Sequence, residues 1–389
     1  MRQHQLVQLL LVFAVTLVLA VFASGLAHRS LLSTALLFLV AGYVCGLGGF
    51  DVVGVRSHDD VVIQLAALAL FSVLFTDGMH AGVRDLRAAW RLPGRALLFG
   101  MPLTAAGAAL LVHAFFGLTW TEAFLVGAVL APTDPVFAAA IVGREEVPWR
   151  LRHLLNVESG LNDGLALPVV LVLLSSVAGS TTSTATVLWQ LALGVALGVI
   201  VPLVILHIGR LPMLRVSLRY EPLEAFAIGL LVLTLCRATD ANQFLAAFAA
   251  GSTTASVSDA ARRAFQEFGE LVTELFKLAA VLVFGALLTS SMFSHDWVQV
   301  WSFALLLLFV VRPVSMLLSL MRGGLDRREF ATIAWFGPKG FASVTYGLLV
   351  LQSDAVRAGQ MFTLIAVATA VSIVLHSSSD HPIAQLFRE

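Results

Sequence analysis

Glu158-Ser159-Gly160-Leu161-Asn162-Asp163 stands directly before the apolar run Leu165 to Leu174. A run of about 20 mostly apolar residues crosses a bilayer as a helix. Two carboxylates, a hydroxyl and a carboxamide therefore fall within a short stretch of a membrane segment. On a helix, positions 158 and 162 share a face at i, i+4, and so do 159 and 163. A charge at the centre of a membrane helix costs at least about 2.5 kcal/mol, so such a cluster marks a functional site by default. Its oxygen-only donors suit a hard cation and a proton rather than a soft metal.

The rest of the chain supports a membrane setting. Of 389 residues, 59% are apolar and 12% are charged, and mean hydropathy is +0.91. Soluble domains carry about 25% charged residues. The expected fold is an all-α polytopic membrane protein, a single transmembrane unit over residues 1–389 with no linker or soluble domain. Roughly thirteen segments match the spanning template, with centres near residues 15, 40, 69, 106, 131, 167, 197, 229, 249, 280, 308, 341 and 368. The run Leu6 to Ala23 reads as a retained first helix rather than a signal peptide, because its apolar core is long and further spans follow. Zero net charge gives no reason to expect a nucleic acid partner. Cys45 and Cys236, far apart and in apolar stretches, read as packing residues.

Basic residues sort by side. If the loop with Arg84, Arg87, Arg91 and Arg95 is cytoplasmic, seventeen of the 24 Lys and Arg lie on that side and four (Arg2, Arg56, Arg237, Arg357) on the other. This bias implies an odd number of spans, with the N-terminus outside and the C-terminus cytoplasmic. The remaining three, Lys277, Arg312 and Lys339, fall inside spans, and the chain has no other lysine.

Two segments carry helix breakers at mid-span, Pro132-Thr133-Asp134-Pro135 in the fifth and Gly337-Pro338-Lys339-Gly340 in the twelfth. Interrupted helices at corresponding places in two halves point to an inverted-repeat transporter. Here segments one to six would repeat as eight to thirteen. Half-helices present opposed dipole ends, so Asp134 can neutralise N-terminal ends and Lys339 C-terminal ends. Thr133 offers a hydroxyl and a carbonyl as cation ligands. Asp163 is the expected ion carboxylate, where a proton and a cation compete for one site; that competition by itself gives exchange. Asn162 and Ser159 would complete the oxygen shell. Glu158, if buried, needs a cation, and Arg312 is the best candidate, because its own segment has no acid. Lys277 reads as an i, i+3 partner of Glu274, with Glu270 a turn earlier. Asp77, at the end of the third span, is either a funnel lining or an interfacial acid. His113, His207 and His376 are expected near span ends.

Taken together, Thr133-Asp134-Pro135, Glu158-Ser159-x-x-Asn162-Asp163, Arg312 and Gly337-Pro338-Lys339-Gly340 resemble the sodium–proton exchanger branch of the monovalent cation:proton antiporters, in order and across most of the chain. The resemblance implies a secondary antiporter in the plasma or inner membrane, not an enzyme. It would exchange Na⁺ (or K⁺, Li⁺) for H⁺ without a cofactor and serve ion and pH homeostasis. It also implies a homodimer and an elevator-type motion. An ion-translocating core over approximately 94–178 and 297–389 would move against a dimerisation part over approximately 1–93 and 179–296. Asp163 would be the ion and proton carboxylate, with Thr133, Ser159, Asn162 and Asp134 around it. Glu158–Arg312 would be a structural ion pair, and Asn162 marks the electroneutral branch. Asp77 lies near, but out of register with, a family glutamate ligand. The family's Gly-Leu-Arg-Gly is replaced here by Gly337-Pro338-Lys339-Gly340, which keeps the charge and loses the guanidinium fork. A sodium-coupled organic-anion symporter and an ion channel of related fold are the alternatives. The absence of G-x-x-x-x-G-K-[ST] argues against ATP-driven pumping.

Overall fold

A computed structural model of the chain describes residues 3–27, 34–80, 92–134, 147–179, 184–211, 220–294, 297–321 and 323–385. Among them all regular structure is helical. The first half contains α1 Gln3–Ala27, α2 Thr34–Cys45 and α3 Asp60–His80, then α4 Leu92–Phe116, α5 Trp120–Leu130, α6 Trp149–Val177 and α7 Thr184–Ile208. The second contains α8 Glu221–Thr239, α9 Gln243–Val257 and α10 Asp259–Leu287, α11 Val298–Leu320, and α12 Arg327–Trp335, α13 Phe341–Leu351 and α14 Ala358–Gln385. Seven of the described helices are long and apolar enough to cross a membrane. Apolar side chains cover their outer faces: on α1, Val7, Leu11, Leu19 and Phe22 are all exposed.

The local causes of these elements recur at matched places. α5 starts at a capping box, in which Thr119 accepts from the Glu122 N–H and the Glu122 carboxylate accepts from the Thr119 N–H. α12 starts the same way with Asp326 and Glu329. Each box satisfies two of the unpaired donors at a helix start. Each helix then ends early. α5 stops at Leu130 and residues 131–134 are non-helical; α12 stops at Trp335, and the chain is non-helical through 336–340 before α13 begins. Pro135, the second breaker of the fifth segment, lies outside the described residues.

The helices preceding these two also match. α4 contains a π-helical turn at Ala96–Gly100, and α11 contains one at Leu307–Val311. Each π turn ends just before an X-Pro pair, Met101-Pro102 and Arg312-Pro313. A proline inside a helix removes an N–H and crowds the carbonyl four residues back, and a wider turn relieves that crowding.

α13 occupies the centre of the helix packing. It packs on α3, α5, α6, α10 and α14. Its Phe341, Val344, Tyr346, Leu348 and Val350 are all buried. α3 packs in turn on α6, α9 and α10. Cys45 and Cys236 are both free.

Candidate functional site

α6 is capped at Pro148 and continues to Val177, so the cluster Glu158 to Asp163 sits within the helix. It does not serve as its cap. Glu158, Ser159, Asn162 and Asp163 are all buried. Pro168, inside the same helix, deprives the Gly164 carbonyl of its usual donor.

The two non-helical stretches lie against one another. The Asp134 N–H donates to the Pro338 carbonyl at 3.0 Å. Asp134 Oδ2 accepts from the Phe341 N–H at 2.9 Å, at the first residue of α13. Lys339 Nζ donates to the Ala131 carbonyl at 3.3 Å, just past the end of α5, and Ser343 Oγ donates to the Val129 carbonyl at 2.8 Å. The acid thus serves a helix N-terminus and the ammonium a helix C-terminus, the sense that the helix dipole requires. The two glycines permit this approach. A Cβ on Gly340 would overlap the Asp134 side chain, and one on Gly337 would overlap the Arg312 guanidinium.

Thr133 is drawn to α6 from the same junction. Its hydroxyl is 3.3 Å from Ser159 Oγ. Asn162 Nδ2 donates to the Thr133 hydroxyl at 2.8 Å and to its carbonyl at 3.1 Å. A carbonyl can only accept, so the amide nitrogen must face Thr133 and Asn162 Oδ1 turns away. That Oδ1 and Asp163 Oδ1 are both buried with no hydrogen-bond partner. Buried polar oxygens are nearly always paired; here two that carry no proton donor lie on adjacent residues. The arrangement offers oxygens to a hard cation, and a carboxylate that can take a proton instead.

Glu158 and Arg312 form the expected pair at 2.6 Å, with side chains 3% and 1% exposed. The bond joins α6 to α11 one turn from Asn162. Asp77, which the sequence leaves open between funnel and interface, has its Oδ2 enclosed and unpartnered, and its charge bears on that of Asp163. The Glu274–Lys277 pair does not form among the described residues; Glu270 instead meets His80 at 2.8 Å. His113 and His207 lie in the last turns of α4 and α7, as expected for span ends. His376 also lies near a span end, that of Ala358–Ser379, but it is buried and stacked on Trp335 at 5.0 Å. Its Nε2 reaches the Trp335 carbonyl at the end of α12, and Ser372 beside it accepts the Lys339 N–H at 2.8 Å. The structure adds Tyr346, whose buried hydroxyl donates to the Asp163 carbonyl at 2.9 Å. The one cue to it in the sequence is a phenol in an otherwise apolar helix, where the hydroxyl needs a partner.

A family model described as "sodium/hydrogen exchanger, transmembrane" matches residues 14–386. The chain belongs to this family. As a sodium/hydrogen exchanger family member with long apolar helices, it is a multi-pass membrane protein. It is 24% identical over 385 residues to the K(+)/H(+) antiporter NhaP of Alkalimonas amylolytica, covering 97% of this chain and 66% of that protein. It is 28% identical over 339 residues to Na(+)/H(+) antiporter 2 of Zygosaccharomyces rouxii, covering 79% of this chain and 40% of that one. The chain therefore spans no more than about two thirds of these relatives, 66% in the first case. The sodium proton antiporter MjNhaP1 from Methanocaldococcus jannaschii at pH 8 superposes with a TM-score of 0.78 at 17% identity, covering 99% of this chain and 100% of that chain. That likeness establishes the fold.

Proposed function

We propose that this exchanger family member is a secondary antiporter that trades a monovalent cation, Na⁺ or K⁺, for H⁺ at Asp163. The observation that carries the reading is the pair of buried, unpartnered oxygens on Asn162 and Asp163, set beside the contact between the non-helical stretches 131–134 and 336–340. In that place the deprotonated carboxylate needs a cation, and the empty site needs a proton. Either occupant neutralises it, and neither can be held with the other. Both K⁺ and Na⁺ exchange appear in the names of the relatives, so both ions are substrates to compare, with Li⁺ as a third.

The site also supports a division of labour. Thr133, Asp134, Glu158, Ser159, Asn162, Asp163, Arg312, Lys339 and Tyr346 all lie within approximately 94–178 and 297–389, the proposed moving core. Asp77 and Lys277 belong to the remainder, the proposed dimerisation part of a homodimer. Elevator-type motion of the core would carry Asp163 between the two faces of the cell membrane, with the N-terminus outside and the C-terminus cytoplasmic.

The test is proton flux in proteoliposomes under imposed Na⁺, K⁺ and Li⁺ gradients, comparing the unmodified protein with Asp163→Asn. The variant is expected to insert, fold and lose cation-dependent proton flux. Retained flux in that variant rules the assignment out. A channel of the same fold would keep conducting, because it needs no titratable carboxylate.

A further inference from the structure

Lys339 is accounted for by the end of α5, which leaves Lys277 as the second of the two lysines without a role. It lies on α10, one helical turn after Thr273. The Thr273 hydroxyl is 2.8 Å from that of Thr76 on α3, and both residues are buried. That bond and the His80–Glu270 contact run α10 antiparallel to α3, so Lys277, at i+4 from Thr273, shares the α3-facing side of α10 and lies one turn from the level of Asp77. Asp77 Oδ2 is enclosed and has no hydrogen-bond partner, and the same holds for Asp163 Oδ1. Lys277 is half-buried. Its charge interacts with those of Asp134, Asp77, Glu274 and Asp163. Among the described residues it closes no hydrogen bond or ion pair with any of them. An ammonium on a flexible four-carbon stem thus stands among carboxylates and is locked to none.

We propose that Lys277 is a tethered cation that competes with the transported ion for the Asp77 and Asp163 carboxylates. The inference rests on the exchange reading and deepens it. In every cycle Asp163 loses one occupant before it gains the other, and a bare carboxylate in a dry site is costly. A lysine within reach supplies the missing charge in that interval, and the arriving ion must displace it. Unlike a transported ion, it cannot leave with the carboxylate. α10 lies outside the segments proposed to move, so the competition acts when Asp163 faces one side of the membrane and is absent when it faces the other.

Lys277→Met removes the competitor, and Lys277→Arg keeps the charge. A tether that occupies the carboxylates most of the time weakens apparent affinity by the inverse of the free fraction, so its removal should lower the cation KM by about threefold to tenfold. The measurement is KM in proteoliposomes with Na⁺ or K⁺ added from each side in turn, with ion-induced thermal stabilisation in detergent as a second readout. The expected result is a lower KM from one side only, maximal rate little changed, and Lys277→Arg close to the unmodified protein. If the methionine variant does not accumulate, Lys277→Gln replaces it. An unchanged KM from both sides, with exchange intact, overturns the tether alone. A lower KM from both sides overturns the one-sided competition, and loss of rate without a KM change assigns Lys277 to structure. Absence of cation-dependent flux in the unmodified protein overturns the exchange reading itself, and the tether with it.

Discussion

Arg312 has almost no access to water and touches a single carboxylate, that of Glu158. Glu158 Oε2 and Arg312 Nε have no hydrogen-bond partners of their own, and the backbone of Gly337 lies against the guanidinium. Such a pair gains little over an apolar replacement of both partners, yet removing one partner leaves a buried charge and costs about 3–5 kcal/mol. Arg312→Ala is therefore expected to lose folded protein and to melt at lower temperature in detergent, while the surviving fraction keeps a near-normal cation KM. The Glu158→Gln, Arg312→Gln double variant should recover part of the lost stability. An unchanged melting temperature with transport abolished would show instead that Arg312 acts on the ion. This pair was legible in the sequence because Arg312 stands without an acid in its own apolar segment and Glu158, if buried, needs a cation. Lys277 is harder to place: Glu274 stands three residues before it, and spacing alone does not say which neighbouring helix the lysine serves. Tyr346 was missed because its partner, the Asp163 carbonyl, is 183 residues away, and nothing local encodes that contact.

Helix interruptions are tolerated at membrane depth only where the freed backbone groups find partners. At this junction the partners are side chains of the opposite interruption: Asp134 serves the start of α13, and Lys339 and Ser343 serve the end of α5. Asp134→Ala removes both a cap and a favourable charge at a helix N-terminus, each worth about 1–2 kcal/mol in a buried setting. It is expected to lower the melting temperature and slow exchange. Asp134→Asn, whose carboxamide oxygen can still accept the Phe341 N–H, should retain most of the stability. Equal damage from both substitutions, by thermal unfolding and flux, would mean that the charge matters and the cap does not. At this scale the sequence was informative, since proline, glycine and a charge at corresponding places announce a break that must be neutralised. The π turns of α4 and α11 were legible only in part. Ala96–Gly100 and Leu307–Val311 are unremarkable apolar strings, and the proline that follows each is the physical signal.

The whole molecule joins its two halves at one carboxylate. Where a second acid would make the site dianionic, Asn162 stands, with its amide committed to Thr133. The loaded site then carries the same net charge whether it holds a proton or a monovalent cation. A carrier of that kind moves no net charge over a full cycle, because one cation crosses for each proton returned. Membrane voltage acts on net charge with about 2.3 kcal/mol per elementary charge per 100 mV, so an exchanger that moved one extra charge would shift its end-point gradient ratio by roughly fiftyfold under that voltage. The exchange proposed here should come to the same final pH difference, for a fixed cation gradient, with and without an imposed potential in proteoliposomes clamped by an ionophore for an ion that the protein does not carry. A final pH difference that follows the voltage would show that a second charge travels with the site. Asp77, whose enclosed Oδ2 has no hydrogen-bond partner, is the carboxylate then to be substituted, and restoration of voltage independence by Asp77→Asn would identify it as the carrier of that charge.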